Sequence, residues 1–157
     1  MEGGRISHIK LYEALMKYPS LKNYIDGKSI DGEEKRIDVI SPIDGSIIST
    51  VPISGMDAVN LAVTAAQKAF PTWSATPIKE RSQIFYKYKT LLEKNMNELA
   101  ELIQEENGKT ISESIAEIEK SIEVTEFACS LEQFAAGEVM EVSRGVECRV
   151  ERFPVGV

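Results

Sequence analysis

The side chains best able to support nucleophilic or metal chemistry are two cysteines and a single histidine. Neither Cys129 nor Cys148 belongs to a C-x-x-C pair or lies near a histidine in the sequence. A thiol becomes a catalyst when a neighbouring base or cation lowers its pKa, and His8 lies in an N-terminal segment of modest pattern. We therefore expect two reduced, buried thiols, and residue types alone indicate no nucleophilic or metal site.

The densest group of ionisable side chains is the stretch from Glu105 to Thr110, where one helical run ends and another begins. Gly108 can adopt the left-handed conformation that closes a helix. Thr110 and Glu113 have the spacing of a capping box for the next helix. Acid chemistry would require an apolar pocket around one of these carboxylates. Residue chemistry alone therefore predicts a turn between two helices.

Composition excludes several classes of protein. The chain has 157 residues, of which 43% are hydrophobic and 27% charged, and this predicts an ordinary globular domain with a real core. Its formal net charge of -7 argues against nucleic acid and anionic membrane as partners. No apolar run approaches the roughly 20 residues that span a bilayer, and no signal peptide is visible. We expect a soluble, cytoplasmic protein.

The elements that precede the stretch from Glu105 to Thr110 begin with a short amphipathic helix, predicted over Ile6–Tyr18. An antiparallel β unit follows from Tyr24 to Pro52. Its turns are predicted at Asp26-Gly27, which favours a tight hairpin, and at Ser41 to Gly45. The sequence therefore predicts an N-terminal β hairpin unit before the first long helix.

Four or five helices are predicted after the β unit. Ser54 is the expected cap of the first, and Pro71 is expected to close it. Thr76 is the expected cap of the next helical stretch, with Pro77 at its first position, and Asn95 divides this stretch into two helices in tandem. A long helix beyond Thr110 is predicted to end at Gly137.

The last part of the chain changes to a strand-like period. Residues 138–153 read as a two-stranded hairpin or arm with a turn near Gly145, and an isolated hairpin of this kind is marginal in water. The chain is therefore predicted to be an α+β protein with a hairpin unit, helices and a C-terminal β arm. It contains no Walker loop, no G-x-G-x-x-G and no metal-spaced cluster.

A series of short blocks then resembles the opening part of the NAD(P)-dependent aldehyde dehydrogenase superfamily, from about Tyr24 to the end of the chain. The blocks occur in the family's order and at close to its spacing: Tyr24–Gly27, Ile40–Gly45, Ala65–Trp73, Arg81, Glu106–Lys109 and Arg152–Val157. A second set of blocks is similar to the methylmalonate-semialdehyde dehydrogenase group: Phe70–Pro77, Ser121–Cys129 and Ser143–Val146. The order over so many blocks is the specific signal, because each block alone is weak.

The resemblance implies an enzyme that oxidises an aldehyde through a thiohemiacetal on a cysteine and passes hydride to NAD or NADP. The acyl group then goes to water or, in the methylmalonate-semialdehyde group, to coenzyme A. The family's catalytic cysteine, glutamate and asparagine and its glycine-rich cofactor turn all follow the block that is Arg152–Val157 here. We therefore assign no catalytic and no cofactor-binding residue, and neither Cys129 nor Cys148 is a candidate nucleophile. No tight cofactor binding is expected of these 157 residues alone.

The resemblance also implies a fold class: an α+β fragment of an α/β, aldehyde dehydrogenase-like fold whose core parallel sheet is missing. The implied divisions are a helical extension, the N-terminal part of the cofactor-binding domain, an oligomerisation-type β arm and the start of the return to the cofactor-binding domain. They cover residues 1–22, 23–137, 138–152 and 153–157. The family further implies a structural monovalent cation, whose ligands here would be Val39, Ile40 and Glu106.

Two functions remain open from the sequence. The chain is either the N-terminal part of an aldehyde dehydrogenase, inactive without its missing C-terminal portion, or a non-catalytic helical module for interaction or oligomerisation. Exposed apolar stripes would serve a partner in both cases, and that partner is the rest of the enzyme or another copy of the chain.

Overall fold

The structure is a computed structural model that describes residues 16–31 and 35–157. Contacts divide the chain into two compact units. The first contains Met1–Lys68 and Glu101–Thr110, and the second contains Ala69–Ala100 and Ile111–Val157. The domain organisation expected from the sequence stays a prediction. Most of the helix predicted over Ile6–Tyr18 lies outside the described residues, and its described end forms a bend.

The β part of the first unit consists of two hairpins. Strands β1 (Asn23–Ile25) and β2 (Lys28–Ile30) pair through a turn in which Asp26 and Gly27 have φ values of 53° and 72°. These positive values at both central positions are those of a type I′ turn, so the predicted Asp-Gly hairpin is confirmed. Strands β3 (Arg36–Ile40) and β4 (Ile47–Pro52) form the second hairpin, with an irregularity in register between Val39 and Ile40.

The first long helix, α1, extends over Met56–Ala75 and contains Pro71 in its interior. The predicted end at Pro71 is therefore wrong. Two side chains donate to carbonyls near the end of this helix: Ser74 Oγ lies 3.2 Å from Pro71 O, and Thr76 Oγ1 lies 2.9 Å from Thr72 O. These hydrogen bonds satisfy carbonyl groups of the last turn of the helix.

The next two helices follow each other in tandem, as predicted. Helix α2 covers Ile78–Lys94, α3 covers Met96–Asn107, and Asn95 lies between them with φ -106° and ψ 16°. The cap of α2 is Pro77 rather than Thr76. The threonine hydroxyl is bonded to α1 instead.

The helix that follows Thr110 is shorter than predicted. Helix α4 covers Ile111–Cys129, and a short helix, α5, follows at Leu131–Phe134. The break falls at Ser130, whose hydroxyl donates to Phe127 O at 2.7 Å. This local hydrogen bond competes with the helix and ends it well before Gly137.

The core of the second unit lies between α2 and α4. Ser82 of α2 and Ser114 of α4 are fully buried, and Leu92 and Ile118 are almost fully buried. Small hydroxyl side chains at the contact allow two helices to approach closely. The predicted C-terminal arm is a hairpin of β5 (Glu138–Ser143) and β6 (Val146–Val150), and it is exposed along its whole length.

The fold class predicted from the sequence is confirmed. The described residues form five helices and three two-stranded antiparallel sheets, and they include no pair of parallel strands. The parallel sheet that the resemblance places at the centre of the family fold is therefore not contained in the part of the chain that the structure describes. The last residues, from 151 onward, follow β6 without regular structure.

Candidate functional site

The end of α3 is the element that organises the candidate site in the first unit. Gly108 has a φ of 74°, and its N–H donates to Gln104 O at 2.8 Å. The predicted left-handed helix stop is thus confirmed. A Cβ at this position would lie 3.0 Å from Pro42 Cγ, so the end of α3 rests directly on the turn between β3 and β4.

Glu105, in the last turn of α3, binds two residues from the start of the described chain. Its Oε1 forms an ion pair with Lys17 Nζ, and its Oε2 accepts a hydrogen bond of 2.8 Å from the Tyr18 hydroxyl. The hydrogen bond from Lys17, followed by that from Tyr18, lowers the pKa of the Glu105 carboxyl below its usual value. The hydrogen bond to Glu105 raises the pKa of Lys17 and that of Tyr18.

Residues 17–22, which we call the strap, run beside the free edge of β4. The Tyr18 N–H donates to Ile48 O at 2.9 Å and the Leu21 N–H donates to Thr50 O at 2.8 Å. Ser49 Oγ lies 2.8 Å from Pro19 O. The strap therefore adds a third, strand-like segment to the hairpin of β3 and β4, and Glu105 holds its first residues against α3.

A cavity of about 630 Å³ opens between the strap, the β hairpins and α3. Its walls are largely apolar, with carboxylate and hydroxyl groups from α3 and the strap. The residues that matter for its chemistry are Tyr18, Leu21, Val39, Ile48, Leu102 and Glu106. Glu106 of α3 and Val39 of β3 therefore line the same cavity.

The three residues predicted as cation ligands lie close to this cavity. Val39 and Glu106 line it, whereas Ile40, whose side chain is 56% exposed, is not among the lining residues. The register of β3 and β4 is irregular at Val39 and Ile40. A carboxylate together with backbone carbonyls is a donor set that suits a hard cation, so the chemistry of these residues fits the predicted ion. Cation binding itself stays a prediction.

The cluster of Lys17, Tyr18 and Glu105 could not be predicted from the sequence. These side chains come from positions 87 and 88 residues apart, and no local pattern connects the two segments. A lysine before a tyrosine at the end of a weak helical pattern is too common to single out. Only the packing of the strap against α3 brings them together.

Neither cysteine lines the cavity of the candidate site. Both cysteines are free, and Cys129 is buried as expected, but Cys148 is exposed on β6, which corrects the expectation of two buried thiols. His8 lies outside the described residues. Within residues 16–31 and 35–157, no three His, Cys, Asp or Glu side chains are grouped so that they could hold a metal ion. No helix in these ranges is both long and apolar enough to cross a membrane.

Comparison with known proteins gives one consistent result. The model of the aldehyde dehydrogenase family matches residues 29–157. The chain is 42% identical over 139 residues to malonate-semialdehyde dehydrogenase of Bacillus pumilus, covering 87% of this chain and 29% of that protein. Malonate-semialdehyde dehydrogenase 1 of Geobacillus thermodenitrificans is 37% identical over 140 residues, with coverages of 88% and 29%. The chain thus spans 29% of the length of these curated relatives.

Solved structures similar to this chain also include semialdehyde dehydrogenases. A protein described as a methylmalonate-semialdehyde dehydrogenase from Sinorhizobium meliloti 1021, complexed with NAD, superimposes with a TM-score of 0.82 at 34% identity. This match covers 90% of the present chain and 29% of that structure. A methylmalonate-semialdehyde dehydrogenase from Oceanimonas doudoroffii gives the same TM-score at 30% identity, with coverages of 87% and 28%. The predicted resemblance to this group is therefore confirmed.

Proposed function

Because the chain belongs to the aldehyde dehydrogenase family, we propose that it forms the N-terminal part of an NAD(P)-dependent enzyme that oxidises a semialdehyde such as malonate or methylmalonate semialdehyde. The observation that carries this proposal is the similarity to enzymes named for these substrates over 87% of the chain. The NAD complex of the Sinorhizobium protein supports the choice of cofactor. The acyl product would pass to coenzyme A or to water.

The residues of this chain would act as scaffold in that enzyme. Residues 23–137 would belong to the cofactor-binding domain and residues 138–152 to an oligomerisation arm. Val39, Ile40 and Glu106 would hold a structural monovalent cation at the cavity of the first unit, where two of them lie. Catalytic groups would come from other parts of the longer polypeptide.

Apolar stripes on the helices support a covering partner. On α1, Val59 is 50% and Val63 is 43% exposed. On α2, Ile84 is 51% and Leu91 is 55% exposed, and these residues recur at helical spacing. Single exposed apolar residues are ordinary, but stripes of this kind mark surfaces that bind other protein. In the proposed enzyme, the rest of the polypeptide covers these stripes.

The test is a replacement experiment in the Bacillus pumilus relative. The 139 matched residues of that enzyme are exchanged for the corresponding residues of this chain. NAD reduction is then measured with malonate semialdehyde, with and without coenzyme A. We expect turnover by the chimera and none by the purified 157-residue chain. The parent enzyme and the parent with a deletion of the same residues are the matched controls.

Two results would contradict the proposal. The first is NAD reduction by the pure chain, which would show that it does not depend on further segments. The second is a chimera that assembles like the parent but does not oxidise the semialdehyde. That outcome would favour the second candidate, a non-catalytic interaction module, which the same exposed stripes support. In both cases we expect the isolated chain to self-associate, and a monodisperse monomer in light scattering would contradict this expectation.

A further inference from the structure

The strap forms a large part of the wall of the cavity in the first unit. Five consecutive strap residues, Tyr18 to Lys22, line this cavity of about 630 Å³. Leu102 and Glu106 of α3 line it as well, and all of these residues belong to the first compact unit. The strap and α3 are therefore two walls of one cavity.

Glu105 joins these two walls. In the sequence of α3 it lies between Leu102 and Glu106, which line the cavity, and its carboxylate binds Lys17 and the hydroxyl of Tyr18. The ring of Tyr18 belongs to a residue that lines the cavity too, so the contact lies where the strap meets α3. The strap and α3 can separate at this place only if the contact with Glu105 breaks.

The two ends of the strap are held by different kinds of contact. At the C-terminal end, the Leu21 N–H donates to β4, the Arg36 guanidinium donates to Leu21 O, and the chain continues directly into β1. At the N-terminal end, one backbone hydrogen bond joins Tyr18 to β4, and the Glu105 carboxylate supplies the side-chain contacts. Segments with few buried contacts open locally at a lower free energy than the strands beside them, so the N-terminal end should open first.

We propose that residues 17–19 of the strap are a lid on the cavity, with Leu21 as the fixed end and Glu105 as the latch. When the latch breaks, the lid moves away from α3 and small solutes reach the inner wall, where Ile48 is 7% exposed. The lid thus controls exchange at the cavity that Val39 and Glu106 line. It depends only on residues of this chain, so its test does not rely on dehydrogenase activity.

A thiol on the inner wall measures how often the lid opens. In the 157-residue chain with Ile48→Cys, N-ethylmaleimide reacts at position 48 when the strap moves aside, and mass spectrometry reports the modified fraction at each thiol. Glu105→Gln keeps the size of the latch but removes its charge, so the rate at position 48 is expected to rise at least about fivefold. Exposed Cys148 is the internal reference for the reagent, and buried Cys129, in the second unit, reports global unfolding.

Two further substitutions locate the latch. Glu101→Gln, at an exposed position one turn earlier on α3, is the matched control and should leave the rate at position 48 unchanged. Tyr18→Phe removes only the hydroxyl that donates to Glu105 and should raise the rate. An unchanged rate in Glu105→Gln, an equal effect of Glu101→Gln, or an equal increase at Cys129 would overturn the proposal.

Amide hydrogen exchange tests which end of the strap moves, and it needs no added cysteine if Ile48→Cys disturbs the fold. The N–H groups of Tyr18 and Leu21 both donate to β4, so they report the two ends separately. Glu105→Gln is expected to speed exchange at Tyr18 at least about fivefold and at Leu21 less than about twofold. Equal acceleration at both amides would mean that the whole strap detaches and would overturn the lid, and unchanged exchange at Tyr18 would overturn the latch.

Discussion

Replacing Gly108 with alanine tests what fixes the end of α3. The φ of 74° is a left-handed value that costs an L residue about 1–2 kcal/mol. The added Cβ would also lie 3.0 Å from Pro42 Cγ, where favourable carbon contacts need about 3.5–4.0 Å. A forced shift of this size in a packed contact costs about 1 kcal/mol more. We expect Gly108→Ala to lower the free energy of unfolding by about 2–3 kcal/mol.

A matched glycine separates the two contributions. Gly45 has a φ of 76°, nearly the same as Gly108, but a Cβ there would meet no atom within 4 Å. Gly45→Ala should therefore show the backbone cost alone, about 1–2 kcal/mol. Combining Gly108→Ala with Pro42→Ala removes the ring that the new Cβ meets. The double-mutant cycle should then give a coupling energy of about 1 kcal/mol.

The assay is urea denaturation of the four variants and the wild-type chain, followed by circular dichroism and analysed for the midpoint and the slope. Equal destabilisation by Gly108→Ala and Gly45→Ala, together with a coupling energy of zero between Gly108→Ala and Pro42→Ala, would refute the packing of α3 on the β3–β4 turn. If neither substitution lowers the midpoint, the left-handed geometry at both positions is refuted as well.

Three further predictions follow from side chains described above. Because the pKa of Glu105 is lowered on folding, its contribution to stability is present above the ordinary value of 4.5 and is lost as the pH falls through the folded value. In Glu105→Gln, the free energy of unfolding should therefore fall less steeply below pH 4.5 than in the wild-type chain. An unchanged pH dependence in this range, or the same effect from Glu101→Gln, would contradict this. Ser82→Ala should destabilise the chain by about 0.5–1.5 kcal/mol in urea, because it removes the hydrogen bond from the fully buried Ser82 hydroxyl to Glu132. Ser121→Ala, with an exposed hydroxyl, should change stability by less than about 0.5 kcal/mol. A thiol reagent should modify Cys148 quickly in the folded chain and Cys129 only after denaturation, and equally fast reaction at both would contradict the burial of Cys129.

Local chemistry predicted the features that depend on neighbouring residues. The Asp26-Gly27 turn, the break at Asn95 and the helix stop at Gly108 were all visible in the sequence, because each depends on the conformations that one or two residues allow. Predictions from single residue types were weaker. Pro71 lies inside α1 and did not end it. Helix α4 ended before Gly137, at Ser130, where a local hydrogen bond from the hydroxyl competes with the helix.

The candidate site was predictable only in part. The sequence placed Val39 and Glu106 near each other through a resemblance, and the structure has both at one cavity. It could not predict that Lys17 and Tyr18 reach Glu105, because this contact depends on how the strap crosses the hairpin.

The strap also has a consequence for how the chain avoids aggregation. Ile48 and Thr50 offer backbone carbonyls at the outer edge of β4, and the N–H groups of Tyr18 and Leu21 occupy them. An uncovered strand edge is a template for pairing with other chains. Any shortened version of the protein that begins after Leu21 would open this edge. The strap therefore protects the outer edge of β4 from pairing with strands of other molecules. A version of the protein intended for expression should keep the strap so that this edge stays covered.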